Sequence, residues 1–356
     1  MLVREATLRS LITDIFAAGG SEAGEAAMLS DHLVDANLYG HDSHGVGMVP
    51  TYIKHVKSGR VFANRPVKLA HDGGALMVFD GQLGYGRRAA GEAMTQAIAR
   101  ARETGVVAFA LRNAHHIGRV GRYGEMGIEA GFVSIHFVNV ADHRPLVAPH
   151  RGSDARFSTN PFCVGIPAGK ATRPLLLDMA TSKVAMGKVR VAYNEGKELA
   201  PGLVMDDRGQ PSTDPAVMFR EPMGALTTFA EHKGYALALV CEILAGGLGG
   251  GGTIQPGTPR KDGIINSMFS VVVDPARLVD MDWLGREIDA MVAYAKGSPA
   301  ADPARPVLVP GEPERLSAEA RRRDGVPIDP TTWGEIMDAA RRVGLDPQAL
   351  ERRAAA

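Results

Sequence analysis

Cysteine is almost missing from this chain. Its 356 residues hold two, Cys163 and Cys241, too few for the disulfide framework of a secreted domain. The N-terminus lacks the basic-then-apolar pattern of a signal peptide, and no apolar run approaches the roughly 20 residues needed to span a bilayer. Neither sign of charge is in excess: 40 Lys plus Arg balance 40 Asp plus Glu, so no global field favours nucleic acid or an anionic membrane surface. These absences point to a cytoplasmic protein with no nucleic-acid or membrane partner, acting on a small molecule. What is present is ordinary globular composition, 45% hydrophobic and 22% charged, on a chain long enough for two domains and a sizeable core.

The N-terminal stretch reads as helices. Leu8, Leu11, Ile12, Ile15 and Phe16 recur on one helical face before Gly19-Gly20 stops the run. A second helix, capped by Ser21, carries Ala27, Met28, Leu33, Val34 and Leu38 to Gly40, and a third over 46–57 is opened by Pro50 in its first turn. From residue 73 strands and helices alternate. Strands are expected at Leu76–Phe79, Val106–Leu111, Phe132–Val138, Phe162–Ile166, from Leu175, at Met268–Val273 and at Val307–Val309. Helices are expected over 87–104, 120–130, toward Lys188, from Glu231 to Leu244 and over 278–296. The run from Tyr235 to Leu244 is too short for a membrane and reads as core. A charged helical tail ends the chain.

Gly84-Tyr85-Gly86-Arg87-Arg88-Ala89 has the form and position of a dinucleotide fingerprint, after a strand and opening a helix. The next strand ends at Leu111-Arg112-Asn113 without the acidic residue that would hold a ribose. The motif therefore reads as a glycine-rich turn.

Two short stretches carry chemistry: His41-Asp42-Ser43-His44-Gly45 and His115-His116-Ile117-Gly118. Histidine titrates near neutrality and so can exchange a proton during a reaction. Glycines bracket the first cluster and punctuate the second, as in loops that bend sharply beside a cleft. A metal-dependent hydrolase would use the same four histidines as ligands. No nearby carboxylate or cysteine completes a familiar spacing, and no metal is expected. A non-catalytic binding protein is a further alternative.

HDSHG around residue 44, HHIGRVGRY at 115–123, FSTNP at 157–161, LLLDMATS at 175–182, HKGYALAL at 232–239 and LVPGE at 308–312 occur in this order. In that combination the chain resembles the malate/L-lactate dehydrogenase family, which is unrelated to the Rossmann-type lactate dehydrogenases, and within it the hydroxycarboxylate dehydrogenase branch. The resemblance implies an α+β homodimer. Its subunit would have a helical domain of residues 1–72 joined by C-terminal helices over 317–356, and a non-Rossmann nicotinamide-nucleotide-binding α/β domain over 73–316. It implies an oxidoreductase that uses NAD or NADP to interconvert 2-oxo and 2-hydroxy acids by hydride transfer. Reduction of a cyclic imino acid or a ureido acid on the same fold is the alternative.

By the same resemblance His116 is the proton donor and acceptor, with His44 beside it. The cofactor is expected against His44, Gly118, Arg119, Val120, Leu177, Asp178, Met179, Ala180, Thr181, Pro310, Gly311 and Glu312, with His232 and Asn266 as weaker candidates. Ser43, Met48, Tyr52, Thr159 and Asn160 are expected to face the substrate. Met48 stands where the family commonly has arginine, which removes the usual carboxylate anchor and leaves Arg119, Arg122, Arg144 and Arg156 as replacements. Met48 and Tyr52, one helical turn apart, are expected to form an apolar wall. Lys183, Lys188 and Arg190 are candidates for a 2′-phosphate, so the choice between NAD and NADP stays open.

Overall fold

The computed structural model describes residues 1–259 and 261–355. The chain begins with β1 (Leu2–Val3), α1 (Glu5–Ala18) and α2 (Ala23–Leu38), passes through short 3-10 turns at Asp42–His44 and Val46–Met48, and enters α3 (Val49–Lys57). β2 (Lys68–Asp72), β3 (Leu76–Asp80), α4 (Gly86–Thr104), β4 (Val106–Ala114), α5 (Gly121–Glu129) and β5 (Val133–Ala141) follow. Then come β6 (Phe162–Ile166), β7 (Leu175–Met179), α6 (Met186–Glu195) and three short strands, β8 (Val204–Met205), β9 (Pro211–Ser212) and β10 (Ala225–Leu226). α7 (His232–Cys241), β11 (Ile265–Val273), α8 (Met281–Lys296), α9 (Glu312–Asp324), β12 (Val326–Pro327), α10 (Pro330–Arg342) and α11 (Pro347–Ala355) complete the order.

One core gathers both ends of the chain. Leu11, Phe16, Leu33 and Tyr52 pack with Ala318, Trp333, Ile336 and Leu350, and β1 pairs antiparallel with β12. The amphipathic periods seen in the sequence are thus satisfied by helices more than 250 residues away. A second core lies under a seven-stranded sheet of order β2-β3-β4-β11-β5-β6-β7. Ala89, Ala90, Ala93 and Ala97 of α4 bring that helix close to Phe109 and Leu111 of β4; small side chains on the facing helix allow the approach. Only β3 and β4 are parallel, and the remaining neighbours in the sheet run antiparallel. A doubly wound nucleotide fold needs parallel strands on both sides of its switch point, so this sheet is of a different kind. Among the described residues no helix is long and apolar enough to cross a membrane.

Three local expectations are corrected, and one strand, β2, was not expected at all. Ser21 does not cap α2; its hydroxyl donates to the Glu25 carboxylate at 2.8 Å, one turn on. β2 is an exposed edge strand, and exposure on both faces erased the alternation that would have marked it. Residues 307–309 form no ladder. They are extended chain fastened where the Leu176 amide donates to the Pro310 carbonyl. The apolar run after Glu231 is not core within the subunit: Leu239, Val240 and Ile243 are 40%, 45% and 53% exposed. A π-helical stretch at Glu242–Leu248 continues that open face to Leu248.

Candidate active site

Four elements meet at one point. The 3-10 turn after α2 supplies Ser43 and His44, α3 supplies Tyr52, the first turn of α4 supplies Arg87, and the loop leaving β4 supplies His115 and His116. Gly86 is what lets α4 seat against that loop, because a Cβ there would lie 1.6 Å from the His115 carbonyl oxygen. The fingerprint glycine thus serves helix-to-loop packing, with no phosphate required.

The rings of His44 and His116 stack, centroids 5.4 Å apart and planes 24° from parallel. Ser43 Oγ lies 2.9 Å from His44 Nδ1, and Tyr52 Oη lies 2.7 Å from His116 Nδ1. Arg87, 1% exposed, donates from Nε to Tyr52 Oη at 3.0 Å and from Nη2 to the His44 carbonyl at 2.7 Å. A guanidinium can only donate. Tyr52 Oη therefore accepts from Arg87, and with its own proton turned to the His116 carbonyl, 3.4 Å away, it accepts from His116 Nδ1 as well, which leaves Nε2 as the free lone pair of a neutral imidazole. Gly118 completes the set: at its φ of +75°, a Cβ would sit 2.4 Å from Arg87 Cζ.

Electrostatics keep these rings uncharged. Burial holds His116 well below the ordinary histidine range, helped by His44, Arg87, His115 and His143. Burial, with His41, Arg87 and Arg119, brings His44 down to about 3. Burial raises the Tyr52 hydroxyl above its usual value, so near neutrality it remains a proton donor. The product is a neutral imidazole beside an unpaired positive charge, suited to accept a proton from a hydroxyl and return it to a carbonyl oxygen.

The paired histidines of the second motif divide their labour. His115 is fully buried, with Nε2 2.9 Å from His55 Nδ1 and its ring edge-on to Tyr52. His44 and His116 lie face to face, and His115 turns toward His55. The four motif histidines do not converge as a ligand set would, and among the described residues no three His, Cys, Asp or Glu side chains do.

Other expected residues fall into two groups. The Gly118-Arg119-Val120 turn, the end of β7 and the Pro310 turn are brought together. The Gly121 amide donates to Asp178 Oδ2 at 2.7 Å, the Leu176 amide donates to Pro310 O, and a Cβ on Gly311 would lie 3.3 Å from the Leu176 nitrogen. Leu177, Asp178, Met179 and Ala180 stay half-exposed along the sheet edge, while Thr181 is buried and bonded to the Thr159 carbonyl. Glu312 shares the Pro310 turn, but both its oxygens have internal partners, the Val309 amide at 2.8 Å and Lys296 Nζ at 2.5 Å. Its visible role is to close the turn.

The second group lies elsewhere. Asn160 is fully buried and donates to the Ala238 carbonyl and Glu242, while its Oδ1 has no partner. Asn266 is 2% exposed and accepts from the Ile117 amide at 2.9 Å, holding the 115–118 loop from behind. His232 is exposed on α7 beside His150.

The expected apolar wall is also corrected. Met48 packs against the helical core, but Tyr52 presents its hydroxyl to His116 and covers a buried cation. The four substitute arginines all have acidic partners: Arg119 with Glu125, Arg122 with Glu129, Arg144 with Glu221 and Arg156 with Asp154. Arg87 has none. Sequence reasoning missed it because it sat inside a fingerprint already discounted. His143, which faces His116 from the loop after β5, was missed because nothing local marks it.

Residues 3–337 match the family described as malate/L-lactate dehydrogenase. Hydroxycarboxylate dehydrogenase B of Escherichia coli K12 is 45% identical over 97% of this chain and 95% of its own. L-lactate dehydrogenase of Cupriavidus necator is 39% identical over 97% and 99%. A solved E. coli structure, provisionally described as a malate/lactate dehydrogenase, superposes with a TM-score of 0.95 at 44% identity over the full length of both chains.

Proposed function

The chain belongs to the malate/L-lactate dehydrogenase family, and from that premise we propose that it is an oxidoreductase interconverting 2-hydroxy and 2-oxo acids, with His116 as the acid and base. The observation that carries this reading is the His116–Tyr52–Arg87 chain beside His44. A nicotinamide cofactor, when bound, supplies or accepts the hydride. The residues that would hold it are His44, the Gly118-Arg119-Val120 turn, the half-exposed edge of β7 from Leu177 to Ala180, and the Pro310-Gly311 turn. Glycines at 118, 121 and 311 let these segments pack on one another, since a Cβ would meet Arg87, Arg119 with Asp178, and Arg315 with Leu176 respectively.

In the oxidising direction His116 starts with its hydrogen on Nδ1, donated to Tyr52 Oη while the tyrosine proton points to the His116 carbonyl, 3.4 Å away; Nε2 then takes the hydroxyl proton and the ring becomes imidazolium. In the reducing direction these moves reverse, and the imidazolium delivers a proton to the oxygen as it gains negative charge. Arg87, without an acidic partner, makes the pocket positive and favours an anionic substrate.

We also read the subunit as half of a homodimer. The open face of Leu239, Val240, Ile243 and Leu248 is a contiguous apolar surface of the sort that marks an interface.

The reading is tested with a panel of 2-oxo acids, each run with NADH and NADPH, in wild type and His116→Ala. Turnover should fall by roughly 10²-fold or more in the variant. Retention of more than about a tenth of the wild-type rate would move the proton-transfer role to another residue.

A further inference from the structure

Arg87 is a guanidinium closed off from solvent with no carboxylate against it. Its Nε and Nη2 are spent on a tyrosine oxygen and a backbone carbonyl, and Nη1 is buried without a partner. Burying a cation in this way is costly unless something is gained by it. Gly118, left-handed and flush against the guanidinium, shows that the loop is shaped around this group. Nη1 has no access to solvent, so the side chain is not placed to grip a substrate carboxylate directly.

The groups facing His116 are Tyr52 from α3, His44 from the 3-10 turn, Arg87 from α4, His115 from its own loop and His143 from the loop after β5. Near neutrality the only permanent charge among them is Arg87. Resting on the reading of His116 as acid and base, we infer that Arg87 is a positioning residue: through Tyr52 it holds the ring of His116 in place, and through its charge it keeps that ring neutral until an anionic substrate arrives. A bound carboxylate would offset the guanidinium field and raise the proton affinity of His116, so proton transfer is favoured only when the pocket is filled. The pKa depression assigned to His116 fits this arrangement, with burial first, then His44, then Arg87.

The test needs no turnover. Histidine ring carbons are labelled, the His116 resonance is identified by its loss in His116→Asn, and its titration is followed in the protein without substrate. Arg87→Gln can still donate to Tyr52 and to the His44 carbonyl but carries no charge, whereas Arg87→Lys keeps the charge. We expect His116 to titrate about one unit or more higher in Arg87→Gln, and to stay near the wild-type value in Arg87→Lys. A thermal melt checks that each variant is folded. An unmoved titration in folded Arg87→Gln overturns the proposal, as does an equal rise in both variants, which would make the effect one of shape. The acid limb of kcat/KM for 2-hydroxy acid oxidation should rise by the same amount. If the titration moves and the limb does not, Arg87 still governs His116, and the assignment of His116 as the base is what fails.

Discussion

Tyr52→Phe removes one oxygen atom from the middle of the site, and the structure sets what that should cost. The phenol ring is fully buried between Phe16, Tyr85 and His115, so phenylalanine fills the same space and leaves no cavity. Two hydrogen bonds disappear, Arg87 Nε to Oη at 3.0 Å and His116 Nδ1 to Oη at 2.7 Å. A buried charged donor stripped of its acceptor costs about 1.5–3 kcal/mol, and the neutral bond to the imidazole about 1 kcal/mol more. Stability should therefore fall by roughly 2–4 kcal/mol, read as a shift in urea midpoint at constant slope. The imidazole also loses the partner that holds its ring in place. One lost bond of about 1.4 kcal/mol in the transition state is a tenfold loss in kcat, with KM changing less because the oxygen faces His116 and not the substrate. A double-mutant cycle with Arg87→Leu, which cannot donate, should give a coupling of about 1 kcal/mol or more, since the two side chains are in contact. Wild-type kcat in folded Tyr52→Phe, or strict additivity with Arg87→Leu, would refute the idea that tyrosine links the arginine to the histidine.

Two further outcomes follow from burial. His136 is fully buried in β5, its ring nitrogens 2.8 Å from Ser270 Oγ and 3.0 Å from Ser134 Oγ, and burial lowers its pKa to about 3. The unfolded chain takes up a proton near pH 6.5 that the folded chain refuses, so its contribution is complete above that value and is lost as pH falls toward 3. By pH 5 the loss is about 2 kcal/mol, and urea denaturation of His136→Gln should show that much less stability lost between pH 7 and 5 than wild type; parallel curves would exclude the assignment. At the open apolar face, Ile243→Asp should halve the mass found by light scattering, because a carboxylate cannot be desolvated there unpaired. An unchanged mass would place the subunit contact elsewhere.

The sequence was most legible where chemistry is local. Leu8, Leu11, Ile12, Ile15 and Phe16 declared a helical face because the period of a helix is written in neighbouring residues. The ordered motifs identified the family, and the glycines around His44 and His116 marked loops. The missing acid after β4 was enough to dismiss the false fingerprint. Local pattern was silent, or misleading, wherever a residue's role depended on what lies opposite it. Apolarity made the run after Glu231 look like core, because hydrophobic residues at a subunit surface and in an interior are the same residues. Tyr52 read as part of an apolar wall, and Arg87 as a turn residue. Only the tertiary structure sets residues 44, 52, 87 and 116 within hydrogen-bonding and stacking distance. It also gives Arg119, Arg122, Arg144 and Arg156 to carboxylates while leaving Arg87 without one. A side chain's protonation and reach are set by burial and by the charges folded against it, and neither quantity exists until the chain has closed.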